Sequence, residues 1–233
     1  MKTNGQILVE LQESMGSDRS IANSAWTSSF DKEKRDARTD EQVTEIVKRL
    51  CKEGHSVPFE SVEFRFWIRM PIFTDRQHVT HRIASHNGLS GRYRTMPKDY
   101  FELPNDVMKI LQKVNDDISC NLIEDYYESC EIATNNYSHA ISILKESEFS
   151  NIISNKEYKR VREILRGQLP TAGMTERTSK MNLRSFANYQ KLRNSEHAQS
   201  EIKQVAELML KLVEEANICP VAIQALKEKN WII

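Results

Sequence analysis

The spacing of apolar residues changes along the chain from a strand period to a helix period. Every second residue of 61–70 is apolar, from Val62 to Met70, which predicts a strand with one buried face and a polar face that includes Arg69. Residues 6–12 alternate more weakly and predict another strand. Helical spacing follows over 104–147 and around 157–166, 182–192 and 198–216. Strands early and helices late predict an α+β fold with an antiparallel or mixed sheet and long helices.

Two shorter helices are predicted from their end signals. Asp40 is a candidate cap for a helix that Gly54 ends. Thr74 followed by Gln77 resembles a capping box that opens a helix reaching about Asn87. Because no shift in composition marks a linker, residues 1–233 are predicted to form a single domain.

Composition excludes several classes of protein. Lys+Arg and Asp+Glu both number 33, so the formal charge is zero, and a globally basic nucleic-acid-binding protein is not expected. No apolar run approaches the roughly 20 residues of a membrane span, and residues 1–11 lack the apolar core of a signal peptide. The cysteines lie far apart without a C-x-x-C pair, which argues against a zinc ribbon or a disulfide framework. We expect a cytoplasmic protein without membrane or nucleic-acid partners.

The most informative segment is 77–98, QHVTHRIASHNGLSGRYRTMPK, which contains no acidic residue. Ser90, Gly91 and Arg92 combine a hydroxyl, a loop with free N–H groups and a guanidinium, which are the parts of a phosphate site. A solvated basic loop is the alternative. His78 and His81 are spaced like metal ligands on a helix, but with no third ligand nearby and positive charge around them we expect no metal site.

A second basic cluster lies in the last third of the chain. On a helix, Arg193 shares a face with His197, and Arg184 shares one with Asn188. Two basic clusters far apart in sequence suggest a ligand with several anionic groups, and surface arginines paired with glutamates are the alternative. No G-x-G-x-x-G, P-loop or G-x-S-x-G motif occurs.

Residues 80–93 resemble the signature of the flavin-dependent thymidylate synthases, R-H-R followed by seven residues and a serine. Here the signature is Thr80-His81-Arg82, then residues 83–89, then Ser90. Other blocks of the family follow in the same order over most of the chain: Met15-Gly16-Ser17-Asp18, Gly54-His55 with Pro58-Phe59-Glu60, Asn182-x-Arg184, and Arg193 with His197-Ala198-Gln199 and Glu201-Ile202.

The resemblance implies an enzyme that methylates dUMP with methylenetetrahydrofolate, FAD and NADPH, in a homotetramer with shared active sites. By position, the residues that would hold FAD are His81, Arg82, Asn182, Arg184 and Asn188, aided by Ser28 and His197. Those that would hold the nucleotide are Gln77, Leu89, Ser90, Gly91, Arg92 and Arg166. Arg193 would lie at the uracil ring, and His55 corresponds to a histidine near the folate and the methyl-transfer step. The family needs no protein nucleophile, which agrees with the absence of a Pro-Cys pair.

Three positions depart from the family pattern. Thr80 stands where the family has the first arginine of the signature, Gly88 replaces a common glutamate, and Val57 replaces a frequent threonine. These departures leave two alternatives open: a related pyrimidine-nucleotide modifier, such as a dUMP or dCMP hydroxymethylase, and a flavin- and nucleotide-binding paralogue with weak turnover.

Overall fold

The structure is a computed structural model that describes residues 5–114 and 116–232. Its strands are β1 (Leu8–Met15), β2 (Glu63–Pro71), β3 (Ser85–Gly88) and β4 (Met174–Asn182). Its α-helices are α1 (Asp18–Trp26), α2 (Lys32–Asp36), α3 (Asp40–Glu53), α4 (Ile72–His78), α5 (Asn105–Leu111), α6 (Asp116–Phe149), α7 (Asn155–Leu165), α8 (Leu183–Arg193), α9 (Ser200–Glu215) and α10 (Pro220–Glu228). Two 3-10 turns span Val57–Ser61 and Arg166–Gln168. The predicted α+β class is confirmed.

The strands form one sheet in the order β1-β2-β4-β3. Strand β2 supplies its core, because the alternating apolar side chains of the sequence pattern are all fully buried. The rings of Phe64 and Phe66 lie 5.3 and 6.0 Å from that of Phe186 on α8. Burial of aromatic rings at these separations is a large favourable contribution to folding, and it fixes α8 against the sheet.

Contacts within the chain divide it into two compact units. One, which we call the sheet unit, comprises residues 7–68, 77–87 and 177–232. In it, α3 packs against α1 and α10, and α9 packs against β1 and α8. The other, the helical unit, comprises 5–6, 69–76 and 88–176, and its 34-residue helix α6 packs against α7. The expectation of a single domain stays a prediction.

Local end signals account well for α3. Thr39, rather than Asp40, is its N-cap, and Gln42 completes a capping box with it. Gly54 ends the helix in the left-handed conformation, with φ of 79°, which favours glycine.

Two expectations are wrong in detail. The helix that follows β2 starts at Ile72 and ends at His78, and residues 85–88 are strand β3 instead of helix. Thr74 therefore lies inside α4 and is not its cap. Arg69 is not on a solvent-facing side of β2: it is 4% exposed and its guanidinium pairs with Asp99. Helices α1, α2 and α10 and strand β4 were not predicted.

Candidate active site

Arg193, the predicted ring-contacting residue, is held at the end of α4. Its Nη2 donates to the carbonyl oxygen of Gln77 (3.1 Å) and to Oγ1 of Thr80 (2.7 Å). The side chain of Gln77 also bonds to that of Gln199. The end of α8 and the start of α9 are thereby tied to the signature segment more than 100 residues earlier, all within the sheet unit.

Beneath this segment lies a buried group that we call the histidine network: His78, His81, His86, Ser179, Ser185 and Tyr189. Its members come from α4, the loop after it, β3, β4 and α8. Oxygen–nitrogen distances between its side chains are 2.7 to 2.9 Å. His78, Ser179 and Tyr189 are completely buried.

The proton positions of the network follow from its ends. His86 Nε2 faces the carbonyl of His81 at 3.3 Å, and a carbonyl only accepts, so this nitrogen carries the proton. For neutral rings, Ser179 then donates to His86 Nδ1, His78 Nε2 donates to Ser179, and Tyr189 donates to His78 Nδ1. Each group is used once as a donor.

The same reasoning fixes His81. The Ser185 hydroxyl donates to the carbonyl of Ile83, so it accepts from His81 Nε2 at 2.7 Å. The carbonyls of His81 and Ile83 are both held by the network, and Arg82 lies between them with an exposed side chain. The backbone on both sides of Arg82 is therefore fixed by hydrogen bonds to the histidine network.

Burial sets the charge of these rings. Desolvation lowers the pKa of His78 well below that of an exposed histidine, and repulsion between a charged His78 and the basic side chains near it, first His86 and then Arg177, lowers it further. Desolvation also lowers the pKa of His81, more than its bond to Ser185 raises it. Burial raises the pKa of the Tyr189 phenol. The lowered pKa of the two rings and the raised pKa of the phenol favour the neutral forms, which is the state for which the hydrogen-bond directions above are assigned.

Three of the predicted flavin-binding residues line one cavity of about 330 Å³ in the sheet unit, together with Ile83 and Trp231. These three are Asn182, Arg184 and Asn188. Asn182 caps α8 by accepting from the backbone N–H of Ser185 at 2.8 Å, which fixes its side chain. The combination of amides and a guanidinium with apolar walls fits a cofactor that has both phosphates and aromatic rings, so the residues present fit FAD.

Arg184 is paired with a carboxylate at this cavity. Its Nη1 lies 2.7 Å from Oε1 of Glu60, the glutamate of the P-F-E block, and both side chains are nearly half exposed. An exposed pair of this kind contributes little stability, so a phosphate can exchange with Glu60 at small cost.

Ser28 and His55 line a second cavity of the sheet unit with Val57. Ser56 lines both this cavity and the one around Arg184, so the predicted folate-side histidine and the predicted flavin side chains adjoin through one residue. His55 is exposed and contacts Glu53 at 3.3 Å. His197 is also exposed, in the turn before α9, and it lines none of these cavities.

The predicted phosphate residues form a tight turn in the helical unit. The backbone N–H groups of Tyr93 and Arg94 donate to the carbonyl of Ser90 at 3.0 Å, and the Ser90 hydroxyl accepts from the N–H of Arg92 at 3.3 Å. Leu89 is joined to β4 through its N–H, which donates to the carbonyl of Glu176. We call residues 90–94 the Ser90 turn.

A buried arginine that sequence reasoning missed supports this turn. Arg162 on α7 is 6% exposed, and its Nε donates to the carbonyl of Gly91 at 3.0 Å. Its Nη1 donates to Tyr158 and its Nη2 is buried without a partner among the described residues. Arg162 brings positive charge beneath the turn without a carboxylate partner in the parts of the chain that the structure describes.

Arg166 packs directly on the turn. A Cβ placed on Gly91 would lie 3.0 Å from Cδ of Arg166, so the close approach of this side chain favours glycine there. Arg92 is paired through Nε with Glu163 at 2.6 Å, and Arg94 with Glu176 at 3.2 Å. The structure thus brings Ser90, Gly91, Arg92 and Arg166 together, and their role in holding a nucleotide stays a prediction.

The sequence indicated the residues that have counterparts in the family. It did not indicate the buried residues that form hydrogen bonds around them. His78 and His86 stood in the histidine-rich segment, but Ser179, Tyr189 and Arg162 carried no local signal. Gly88 ends β3 and is half-buried.

Over residues 5–114 and 116–232, no three His, Cys, Asp or Glu side chains are grouped as metal ligands would be. No helix of that same part of the chain is long and apolar enough to cross a membrane.

Comparison with known proteins shows the family of the chain. Residues 10–221 match the model of the family described as thymidylate synthase complementing protein. The flavin-dependent thymidylate synthase of Pseudothermotoga lettingae is 31% identical over 215 residues, which is 91% of this chain and 86% of that protein. That of Thermotoga neapolitana is 32% identical over 217 residues, covering 93% and 89%.

A solved structure has the same fold. The UMP/dUMP methylase PolB from Streptomyces cacaoi, crystallised with 5-Br dUMP, superposes with a TM-score of 0.77 over 98% of both chains. The sequence identity is 24%, so this likeness concerns the fold.

Proposed function

The chain belongs to the thymidylate synthase complementing protein family, that of the flavin-dependent thymidylate synthases, and on this premise we propose that it methylates dUMP to dTMP. The carbon donor is methylenetetrahydrofolate, and FAD reduced by NADPH supplies the electrons. The observation that carries the proposal is the hydrogen bonding of Arg193 to the end of α4. Two blocks of the family that are far apart in sequence thereby meet at one point.

The sheet unit supplies the groups for the flavin and the pyrimidine ring. When bound, reduced FAD supplies the reducing equivalents, so no protein nucleophile is required. Asn182, Arg184 and Asn188 line the cavity that would receive it, with His81, Arg82, Ser28 and His197 as further proposed contacts. Arg193 presents a cation to the pyrimidine, where it stabilises negative charge that develops on the ring.

The helical unit supplies the groups for the nucleotide phosphate. Ser90 and Arg92 are the proposed phosphate contacts, and Arg166 packs on Gly91 between them. Gln77 and Leu89 are proposed to complete the nucleotide contacts. His55, exposed in the cavity that also includes Ser28, is proposed to act on the folate side.

Assembly and location complete the proposal. We propose a homotetramer in which each active site takes residues from neighbouring subunits, as in the family. We also propose a cytoplasmic location, which the free thiols of Cys51, Cys120, Cys130 and Cys219 support, since disulfides are rare in reducing compartments.

The test is one incubation of purified protein with FAD, NADPH, methylenetetrahydrofolate and dUMP, read by mass spectrometry. A nucleotide heavier by one methyl group is the expected product. Omission of FAD or of the folate serves as the control and is expected to abolish the product.

Two other results would contradict the proposal. A hydroxymethyl product would identify the chain as a hydroxymethylase and place Thr80 and Gly88 at the centre of that difference. Tight FAD binding with no nucleotide-dependent oxidation of NADPH would identify a paralogue with weak turnover.

A further inference from the structure

Thr80 stands where the family has arginine, and its hydroxyl has two partners in the structure. Oγ1 donates to the carbonyl of Gln77 at 2.7 Å and accepts from Nη2 of Arg193 at 2.7 Å. The same Nη2 also donates to the Gln77 carbonyl at 3.1 Å. The three groups close a ring of hydrogen bonds at the end of α4.

This ring restricts Arg193. A guanidinium is planar and rigid, so two acceptors on one terminal nitrogen fix the plane of the whole group. Thr80 is itself oriented by its bond to Gln77, so its lone pair is directed before any ligand arrives. An arginine at position 80 carries only donors and a positive charge, and it could not accept this bond.

We infer that Thr80 is a positioning residue, which fixes the guanidinium of Arg193 in the orientation needed at the pyrimidine ring. The inference rests on the proposed function for the identity of the ring, but the fixed orientation of Arg193 is a property of this chain. Loss of the Thr80 hydroxyl is therefore expected to slow the reaction more than it weakens nucleotide binding, because the proposed phosphate contacts, Ser90 and Arg92, make no bond to Thr80.

The chain offers a matched control. In the same unit, Thr27 donates through Oγ1 to the carbonyl of Asn23 at 2.8 Å and accepts from Nη1 of Arg35. The chemistry is the same as that of Thr80 with Gln77 and Arg193. Thr27→Val removes an equivalent bond from an arginine that has no proposed role.

The experiment uses the FAD-loaded protein and three variants, Thr80→Val, Thr80→Ser and Thr27→Val. For Thr80→Val, kcat with dUMP is expected to fall about tenfold, as the loss of one hydrogen bond from a charged donor implies, with KM for dUMP changed less than about twofold. Thr80→Ser keeps the hydroxyl and Thr27→Val leaves Arg193 untouched, so both are expected to stay near the parent values.

A second readout does not depend on turnover. The Nε–H signal of Arg193 in nitrogen-15 NMR, assigned by its loss in Arg193→Lys, is expected to show slow rotation of the guanidinium in the parent, Thr80→Ser and Thr27→Val, and fast rotation in Thr80→Val. Unchanged rotation in Thr80→Val would overturn the inference, as would an unchanged kcat in an active enzyme. If the parent fails to convert dUMP, the proposed function fails, and the NMR comparison alone decides the role of Thr80.

Discussion

In the sheet unit, the groups beneath the signature segment are buried, neutral and bonded to one another, whereas in the helical unit the arginines of the Ser90 turn are exposed and paired with carboxylates. His78 and Tyr189 have no contact with solvent, but the side chain of Arg92 is 56% exposed and its partner Glu163 is 23% exposed. The first region is arranged before any ligand binds. The second would have to exchange a partner, because the phosphate that we propose for Arg92 would replace Glu163.

Under the proposed function, the fixed groups of the sheet unit would act mainly on the rate, and the exchangeable pairs of the helical unit mainly on binding. Fixed donors contribute most to the rate, because they need no reorganisation when charge develops. Ion pairs that are partly open to solvent have small net energies, and Glu163 keeps a second partner in Arg160, so exchange of Glu163 for a phosphate at Arg92 is expected to cost little. Arg162 adds a fixed element to the helical unit by holding the Gly91 carbonyl.

The largest effect is expected from removal of the fixed cation. Arg193→Ala should lower kcat about a thousandfold, since the proposed charge stabilisation at the ring is lost, while the thermal unfolding temperature changes little. Steady-state kinetics and thermal unfolding measure the two. Lys211→Ala, which removes an exposed cation of α9 paired with Glu215, is the control and should keep full activity. A variant of Arg193 that turns over normally would refute its role.

A substitution in the histidine network should lower the free energy of unfolding more than one at an exposed hydroxyl. Ser179→Ala removes the hydroxyl that joins His78 to His86 and should lower the free energy of unfolding by about 2 to 3 kcal/mol, because buried polar groups lose their partner. Denaturant unfolding measures it. Ser142→Ala on α6, where the hydroxyl is exposed, should change stability by less than about 0.5 kcal/mol. Equal decreases in the free energy of unfolding for Ser179→Ala and Ser142→Ala would show that the network does not stabilise the fold more than an exposed hydroxyl does.

Low pH should lower the stability of the protein through the histidine network. The pKa values of His78 and His81 are lowered by burial in the folded chain, so below about pH 6.5 the unfolded chain binds more protons than the folded one. The free energy of unfolding therefore keeps the full contribution of these histidines above about pH 6.5 and decreases as the pH falls below that value. Thermal unfolding between pH 7.5 and pH 5 measures the loss, and a smaller loss is expected where Ser179→Ala has already broken the network. Constant stability across this range would contradict neutral, buried histidines.

The smallest effect is expected from the exchangeable pair. Glu163→Gln removes the negative charge beside Arg92 and should tighten dUMP binding about two- to threefold, in line with the small energy of an ion pair that is partly open to solvent. Glu176→Gln, which frees Arg94 with similar exposure, is the matched control and should leave affinity unchanged. Calorimetric titration measures both. Weaker binding in Glu163→Gln would mean that Glu163 orients Arg92 rather than competing for it.

Features that depend on neighbouring residues could be predicted from the sequence. The alternation in 61–70 predicted β2, and the spacing before Gly54 predicted α3, because burial of one face and helix termination are local requirements. The helix assigned up to Asn87 was wrong because residues 85–88 pair with β4, and pairing with a distant strand leaves no local signal.

The family blocks can be recognised in the sequence alone, and with them the side chains that can form the site. How these side chains are held depends on the tertiary structure, through the buried histidines next to Arg82, the buried Arg162 that bonds to Gly91, and the bond from Arg193 to Thr80. Each of these depends on a hydrogen bond between residues about 70 to 115 positions apart. The direction of such a bond, and the charge that burial allows, follow from which groups the fold brings together.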